Sequence, residues 1–152
     1  MTVSLSPIGT VSNKRLTLDD DRWGEILSTI ELNDLFDVDA LEGIEEFSHA
    51  EVIFFFHRVE ENKIETGARH PRENPSWPRV GIFAQRGKSR PNRLGLTTVR
   101  IIGRSGKSLL VEGLDAVDGT PVLDIKPVMK EFLPRGDVHQ PAWVEELMKD
   151  YW

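Results

Sequence analysis

A chain of 152 residues with a formal net charge of −6, 39% hydrophobic and 29% charged, has the size and apolar content of one domain with a real core. Cysteine is absent, which excludes disulfides, thiolate catalysis and cysteine-ligated zinc. MTVSLSPIGTVSNKR has no continuous apolar stretch of the secretion-signal kind, and the longest aliphatic and aromatic run, Val52 to Phe56, is far too short to span a bilayer, so the cytoplasm is the expected location.

Ser4 to Val11 predicts a first strand with Pro7 near its edge, followed by a polar loop over Asn13 to Asp21. Trp23 to Leu32 alternates, with Ile26, Ser28, Ile30 and Leu32 on one face, as a half-buried strand does. Asp39 with Glu42 three residues on predicts a short helix over 40–46, turning Leu41, Ile44 and Phe47 to the core. Glu51 to Val59 is the run richest in β-formers and predicts a central strand that delivers His57 and Arg58 to its end.

Asn62 to Trp77 lacks apolar periodicity and predicts a long loop. Val80 to Ala84 then reads as a short buried strand, Gln85 to Gly95 as a loop, and Leu96 to Ile102 as a strand again. Ser105-Gly106 marks a hairpin, Asp118-Gly119 a second turn, and Thr120 to Ile125 another strand. Pro141 opens a final helix in which Trp143, Leu147 and Tyr151 form a stripe expected to serve packing. About seven short strands at close spacing predict a mainly β domain over 1–152, an antiparallel barrel with a mid-chain and a C-terminal helix.

Charge singles out one stretch. Arg69 to Arg104 holds nine basic residues and one acid, 9 − 1 = +8, which leaves −14 on the remainder of a chain of −6. A basic loop held between apolar strands is a surface suited to an anion, most often phosphate, although a solvated loop with ordinary turn glycines has the same composition.

Several chemistries fail on spacing. Gly87-Lys88-Ser89 and Gly106-Lys107-Ser108 each need a glycine five residues earlier to form a phosphate-binding P-loop, and those positions are Ile82 and Ile101. No Gly-x-Gly-x-x-Gly follows a strand, and no Gly-x-Ser-x-Gly elbow is present. His49, His57, His70 and His139 lack metal-ligand spacing, so no metal is expected.

What remains is a set of clusters where strands meet turns: Phe56-His57-Arg58, Ala84-Gln85-Arg86, Arg90-Pro91-Asn92, Leu94-Gly95-Leu96, Gly113-Leu114-Asp115, and Asp118-Gly119-Thr120-Pro121 running on to Asp124-Ile125-Lys126-Pro127. Backbone amides and carbonyls beside charged groups suit a zwitterionic or cationic small molecule next to a phosphate. Taken singly, Asp118-Gly119-Thr120-Pro121 reads first as a tight turn and Asp124 with Lys126 as a surface ion pair.

Taken in order, with Pro7-Ile8-Gly9 and Phe47-Ser48-His49, these clusters resemble the tRNA adenosine N6-methyltransferase family of the TrmO type across nearly the whole chain. The resemblance implies an S-adenosylmethionine (SAM) methyltransferase on a single-sheeted β-barrel, usually a homodimer. Its implied substrate is the threonylcarbamoyl-modified adenosine beside the tRNA anticodon. The cofactor contacts it implies are His57, Arg58, Arg86, Leu96, Asp118, Gly119, Thr120 and Pro121. Beside it, Asp124 is the candidate acceptor for the amine proton and Lys126 its orienting partner, while Arg90, Asn92 and Arg93 are placed to meet RNA. The chain reads Asn92-Arg93-Leu94-Gly95 where Asn-Pro-Ile-Gly is expected, and it is expected to be a short form without the C-terminal domain of longer members. Two rival readings keep the barrel. One methylates a small phosphorylated or nucleoside-like molecule; the other binds SAM or RNA without catalysis.

Overall fold

The computed structural model describes all 152 residues. Its strands are β1 (Gly9–Ser12), β2 (Leu27–Leu32), β3 (His49–Phe55), β4 (Ala68–Arg69), β5 (Val80–Gly81), β6 (Leu94–Ser105), β7 (Ser108–Glu112) and β8 (Pro121–Pro127), with one α-helix, α1 (Ala142–Met148). Six of the strands close into a barrel in the order β1-β2-β7-β6-β3-β8, and β4 and β5 form a separate two-stranded ribbon. Every pairing is antiparallel. Closure leaves the barrel without a free sheet edge.

Alternation builds the interior. Ala50, Val52 and Phe54 of β3 point inward between outward residues, as do Gly95, Thr97 and Val99 of β6. Gly95 must be glycine because Phe54 fills its place: a Cβ there would come within 2.3 Å of that ring. Around Phe54 pack Val11, Ile30, Leu109, Val111, Leu114 and Val122, all at most 1% exposed, and each such side chain contributes about 1.5–3 kcal/mol by leaving water.

Four expectations need correction. The first strand begins at Gly9, not Ser4. The helix expected over 40–46 is two 3-10 turns, Val38–Leu41 and Ile44–Glu46, broken by Gly43 at φ +83°; Leu41 and Ile44 nevertheless reach the core. Val80 to Ala84 is not a strand throughout: only Val80 and Gly81 pair, with Arg69 and Ala68, and a 3-10 turn over Ile82–Ala84 follows. Pro141 stands just before α1, whose last residue is Met148, so Tyr151 lies beyond the helix. No helix is long and apolar enough to cross a membrane.

Register places the long connections together. β3 ends, β6 begins and β8 begins at one end of the barrel, where Phe55 lies opposite Leu94 and Phe54 opposite Val122. The loops over 13–26, 56–93 and 113–120 all open at this end, called the mouth below.

Candidate functional site at the barrel mouth

His57 and Arg58 follow β3 into a tight turn in which the His57 N–H donates to the Phe55 carbonyl at 2.7 Å. Burial, and then the adjacent Arg58 guanidinium, hold the imidazole below the usual histidine range, against an opposing hydrogen bond to the Phe55 backbone. Arg58 spends one nitrogen on the Leu16 carbonyl at 2.7 Å. Its other N–H groups stay free for an anion.

The Asp118–Pro121 turn leads into β8, the neighbour of β3, and meets this pair through the loop after β1, whose Arg15 and Leu16 carbonyls accept from Asp118 N–H and Arg58; Gly119 stands at φ +79°. Turn amides were the expected anion donors, and here they are committed. Those of Asp118, Gly119 and Thr120 donate to the carbonyls of Arg15, Val11 and Val117 at 2.9, 2.8 and 3.2 Å. The Thr120 hydroxyl is buried and donates to Val117 at 2.7 Å, and Pro121 opens β8 opposite Thr10. What the turn offers a ligand is acceptors, its outer carbonyls and the Asp118 carboxylate. These suit hydroxyl and amine donors such as ribose and adenine carry.

Arg86 leaves the 3-10 turn after β5 and donates to the Leu96 carbonyl, with the rest of its guanidinium in solvent. Leu96 turns outward on β6, 45% exposed, an apolar surface beside that charge. Much of the basic stretch is scaffolding. Arg90 donates to Gln85 O at 3.0 Å, and Arg93, at φ +51°, donates to Val59 O at 2.8 Å and lies 4.6 Å over the Phe55 ring. Arg72 is paired with Asp21 at 2.7 Å. Asn92 is exposed between these struts.

Asp124 and Lys126 lie away from the mouth, on the outer wall of β8. A register shift after Ile53 turns Val122 and Ile125 toward the core, and the carboxylate and ammonium pair outside at 2.7 Å. The hydrogen bond and charge of Asp124, and then Glu51, raise Lys126 above the usual lysine range. Asp124, Ile53 and Leu96 share one row across β8, β3 and β6. Two strand spacings therefore separate Asp124 from Leu96, about 10 Å.

The sequence reading missed two networks. Asn13 accepts from the Arg15 N–H at 2.9 Å, donates to Ser28 and Ala116 at 2.9 and 2.8 Å, and gives its backbone N–H to Asp118 at 3.0 Å. It thereby ties the loop after β1 to the Asp118 turn. Asp115 receives the hydroxyls of Thr97 and Tyr151. Asp115 was legible only as part of Gly113-Leu114-Asp115, and Tyr151 only as packing. A cleft of about 310 Å³ lined by Arg15, Asp19, Asp20, Asp21 and Arg22 opens beside the mouth and contains none of the expected cofactor contacts. No cluster of three or more His, Asp or Glu side chains could hold a metal ion.

Residues 20–132 match the family of the tRNA-methyltransferase O N-terminal domain. The chain is 45% identical over 100 residues to a putative S-adenosylmethionine-dependent methyltransferase, RcsF, of Pseudomonas aeruginosa, covering 65% of this chain and 43% of that protein. It is 38% identical over 93 residues to the tRNA (adenine(37)-N6)-methyltransferase of Mus musculus, covering 61% and 21%. The crystal structure of TrmO superposes with a TM-score of 0.76 at 34% identity, covering 92% of this chain and 64% of that one. The chain thus spans less than half the length of these two curated relatives. With the match covering most of its length and the barrel shared with TrmO, the chain belongs to the TrmO family.

Proposed function

We propose that this chain is a SAM-dependent N-methyltransferase domain that acts on N6 of a threonylcarbamoyl-modified adenosine beside the tRNA anticodon. The observation that carries the reading is the gathering of His57, Arg58, Arg86 and the Asp118–Pro121 turn at one barrel mouth in a chain of the TrmO family. The Pseudomonas relative is named for SAM-dependent methyl transfer and the mouse relative for the N6 position of adenine 37.

The residues fit the cofactor's chemistry. Free guanidinium donors on Arg58 and Arg86 suit its carboxylate, the acceptor-rich Asp118–Pro121 turn suits its ribose and adenine, and exposed Leu96 offers the adenine an apolar face. When bound, SAM supplies an electrophilic methyl on a sulfonium that leaves as a neutral thioether. The protein's share is alignment and the fate of one proton. Asp124, on the outer wall two strand spacings from Leu96, takes the proton that N6 loses if the modified base extends from the mouth along that row, and Lys126, already paired with it, keeps the carboxylate oriented. Arg90, Asn92 and Arg93 guide the RNA. Their guanidinium groups retain N–H donors beyond those spent on Gln85 and Val59.

A cytoplasmic homodimer is part of the proposal. Phe83, Phe132 and Leu133 stand 78%, 80% and 51% exposed, apolar side chains that a second copy of the chain would cover. Sedimentation at micromolar concentration is expected to give twice the chain mass. The first test of function is calorimetric titration with SAM, followed by methyl transfer to tRNA from cells lacking this gene. Binding with transfer supports the reading. Binding without transfer redirects the search to small nucleoside-like acceptors, and no binding by folded, SAM-free protein overturns it.

A further inference from the structure

The family match ends at residue 132, yet the segment beyond it returns to the barrel mouth. α1 buries none of its own residues fully. What docks the segment is a set of directed contacts. Trp77 Nε1 donates to Glu146 at 2.9 Å, and the N–H groups of Arg22 and Trp23 donate to the carbonyls of Asp150 and Tyr151 at 2.9 and 2.7 Å. Gly24 lies so close beneath Trp152 that a Cβ there would come within 2.7 Å of its carbonyl carbon. A segment tied at four points is a wall of the mouth, not a frayed end.

Held this way, Tyr151 reaches Asp115. Its hydroxyl donates to Oδ2 while Thr97 Oγ1 donates to Oδ1. No cation pairs with Asp115: the molecule's ion pairs run through Asp19, Asp20, Asp21, Glu112, Glu45, Asp34 and Asp124. A carboxylate accepts about four hydrogen bonds, and Asp115 receives two, one on each oxygen. One residue back along β6, Arg86 holds the Leu96 carbonyl. A guanidinium and a carboxylate thus grip adjacent residues of one strand without pairing with each other.

We propose that the C-terminal segment completes the ligand site: Tyr151 is a positioning residue that aims Asp115 at the ammonium of a zwitterionic α-amino-acid group whose carboxylate lies on Arg86. The proposal rests on the reading that the site takes SAM, whose methionine half carries that group. Opposite fixed charges facing opposite ligand charges select a zwitterion over an anion or a cation of the same size. Tyr151 is suited to the task because burial and the Asp115 carboxylate push its hydroxyl far above the usual tyrosine range, while Arg86 and Arg72 pull the other way. It therefore remains a donor at every physiological pH.

The test is calorimetric titration of the full chain, as wild type, Tyr151→Phe and Asp115→Asn, with SAM and with 5′-methylthioadenosine, which keeps the nucleoside and sulfur but lacks the amino-acid group. Tyr151→Phe is expected to weaken SAM binding about tenfold, and Asp115→Asn more, the scale of one hydrogen bond to a charged group. Affinity for 5′-methylthioadenosine, titrated to millimolar concentration, stays at the wild-type value. Equal weakening of both ligands, or unchanged SAM affinity, overturns the proposal and leaves the cofactor reading standing. A wild-type chain that binds neither ligand overturns both. Thermal melting run alongside shows which variants are folded, and Asp115→Asn decides the matter if Tyr151→Phe is not.

Discussion

The barrel mouth and the outer wall of β8 each present a carboxylate, in opposite settings. At the mouth Asp115 is held by two hydroxyls, has no cation, and ties β6 to the C-terminal segment. On the wall Asp124 is paired with a solvent-facing lysine two residues away and accepts the N–H of neighbouring Ile125 at 2.9 Å, so its contacts stay within β8. Asp115 carries architecture whatever else it does. Asp124 braces only its own strand, so a loss of turnover on changing it, with the melting temperature kept, comes from chemistry. The same contrast sorts the guanidinium groups of the basic stretch: Arg90 and Arg93 brace loop carbonyls, and Arg86 braces one while presenting the rest of its donors to solvent.

The contrast sharpens most with Asp124→Asn. Turnover should fall by at least about 100-fold, the usual cost of removing a positioned proton acceptor, while SAM affinity and melting temperature stay where they were. An unaltered rate removes Asp124 from the reaction and leaves the wall a solvated surface. Next in size is stability. Asp115→Ala strands the hydroxyls of Thr97 and Tyr151 and should cost about 2 kcal/mol in urea unfolding, whereas Asp124→Ala should leave the midpoint unmoved. Equal midpoints for the two variants would dissolve the distinction. Smaller again is Arg86→Ala, which keeps the fold and should weaken SAM binding about tenfold by removing a charge-assisted contact. Unchanged affinity strikes Arg86 from the site.

How much of this was legible in the sequence follows the range of the contacts. β3 declared itself because alternation and β-branched and aromatic side chains are local, and the β6–β7 hairpin because Gly106, at φ +57°, marks its turn. Val80 to Ala84 misled because an apolar run of five says nothing about hydrogen-bond partners. Only two of its residues find a strand, and Gln85 Nε2 ties the ribbon by donating to the carbonyls of Arg69 and Val80 at 3.0 and 2.9 Å. The residues of the mouth could be named because their motif is short and ordered. Its wiring could not. Asn13 binds Asp118 across 105 positions and Tyr151 binds Asp115 across 36, and no periodicity connects residues so far apart. The Asp118–Pro121 turn misled in a subtler way, since the residues were visible but the direction of their amides was not.

The smallest effect is also the one that separates a structural His57 from a ligand-facing one. Burial first, then Arg58, depress its folded-state pKa below 6.5. Above the unfolded value the imidazole is neutral in both states and its contribution is fully present. As pH falls through 6.5 toward the lowered folded value, the unfolded chain takes up a proton that the folded chain refuses, so stability declines with acid in that window. His57→Gln should remove that part of the slope and leave stability above pH 7 unchanged. The imidazole resonances, followed by NMR, should titrate below 6.5 in the free protein. They should move upward when a carboxylate-bearing ligand settles against Arg58, because the added negative charge offsets the guanidinium that helped to depress them. An upward shift with SAM but not with 5′-methylthioadenosine would place the amino-acid end near Arg58 instead of Arg86. An identical titration with either ligand would make His57 part of the turn that closes β3, and the mouth would then take its ligand through Arg86 and the Asp118–Pro121 acceptors alone.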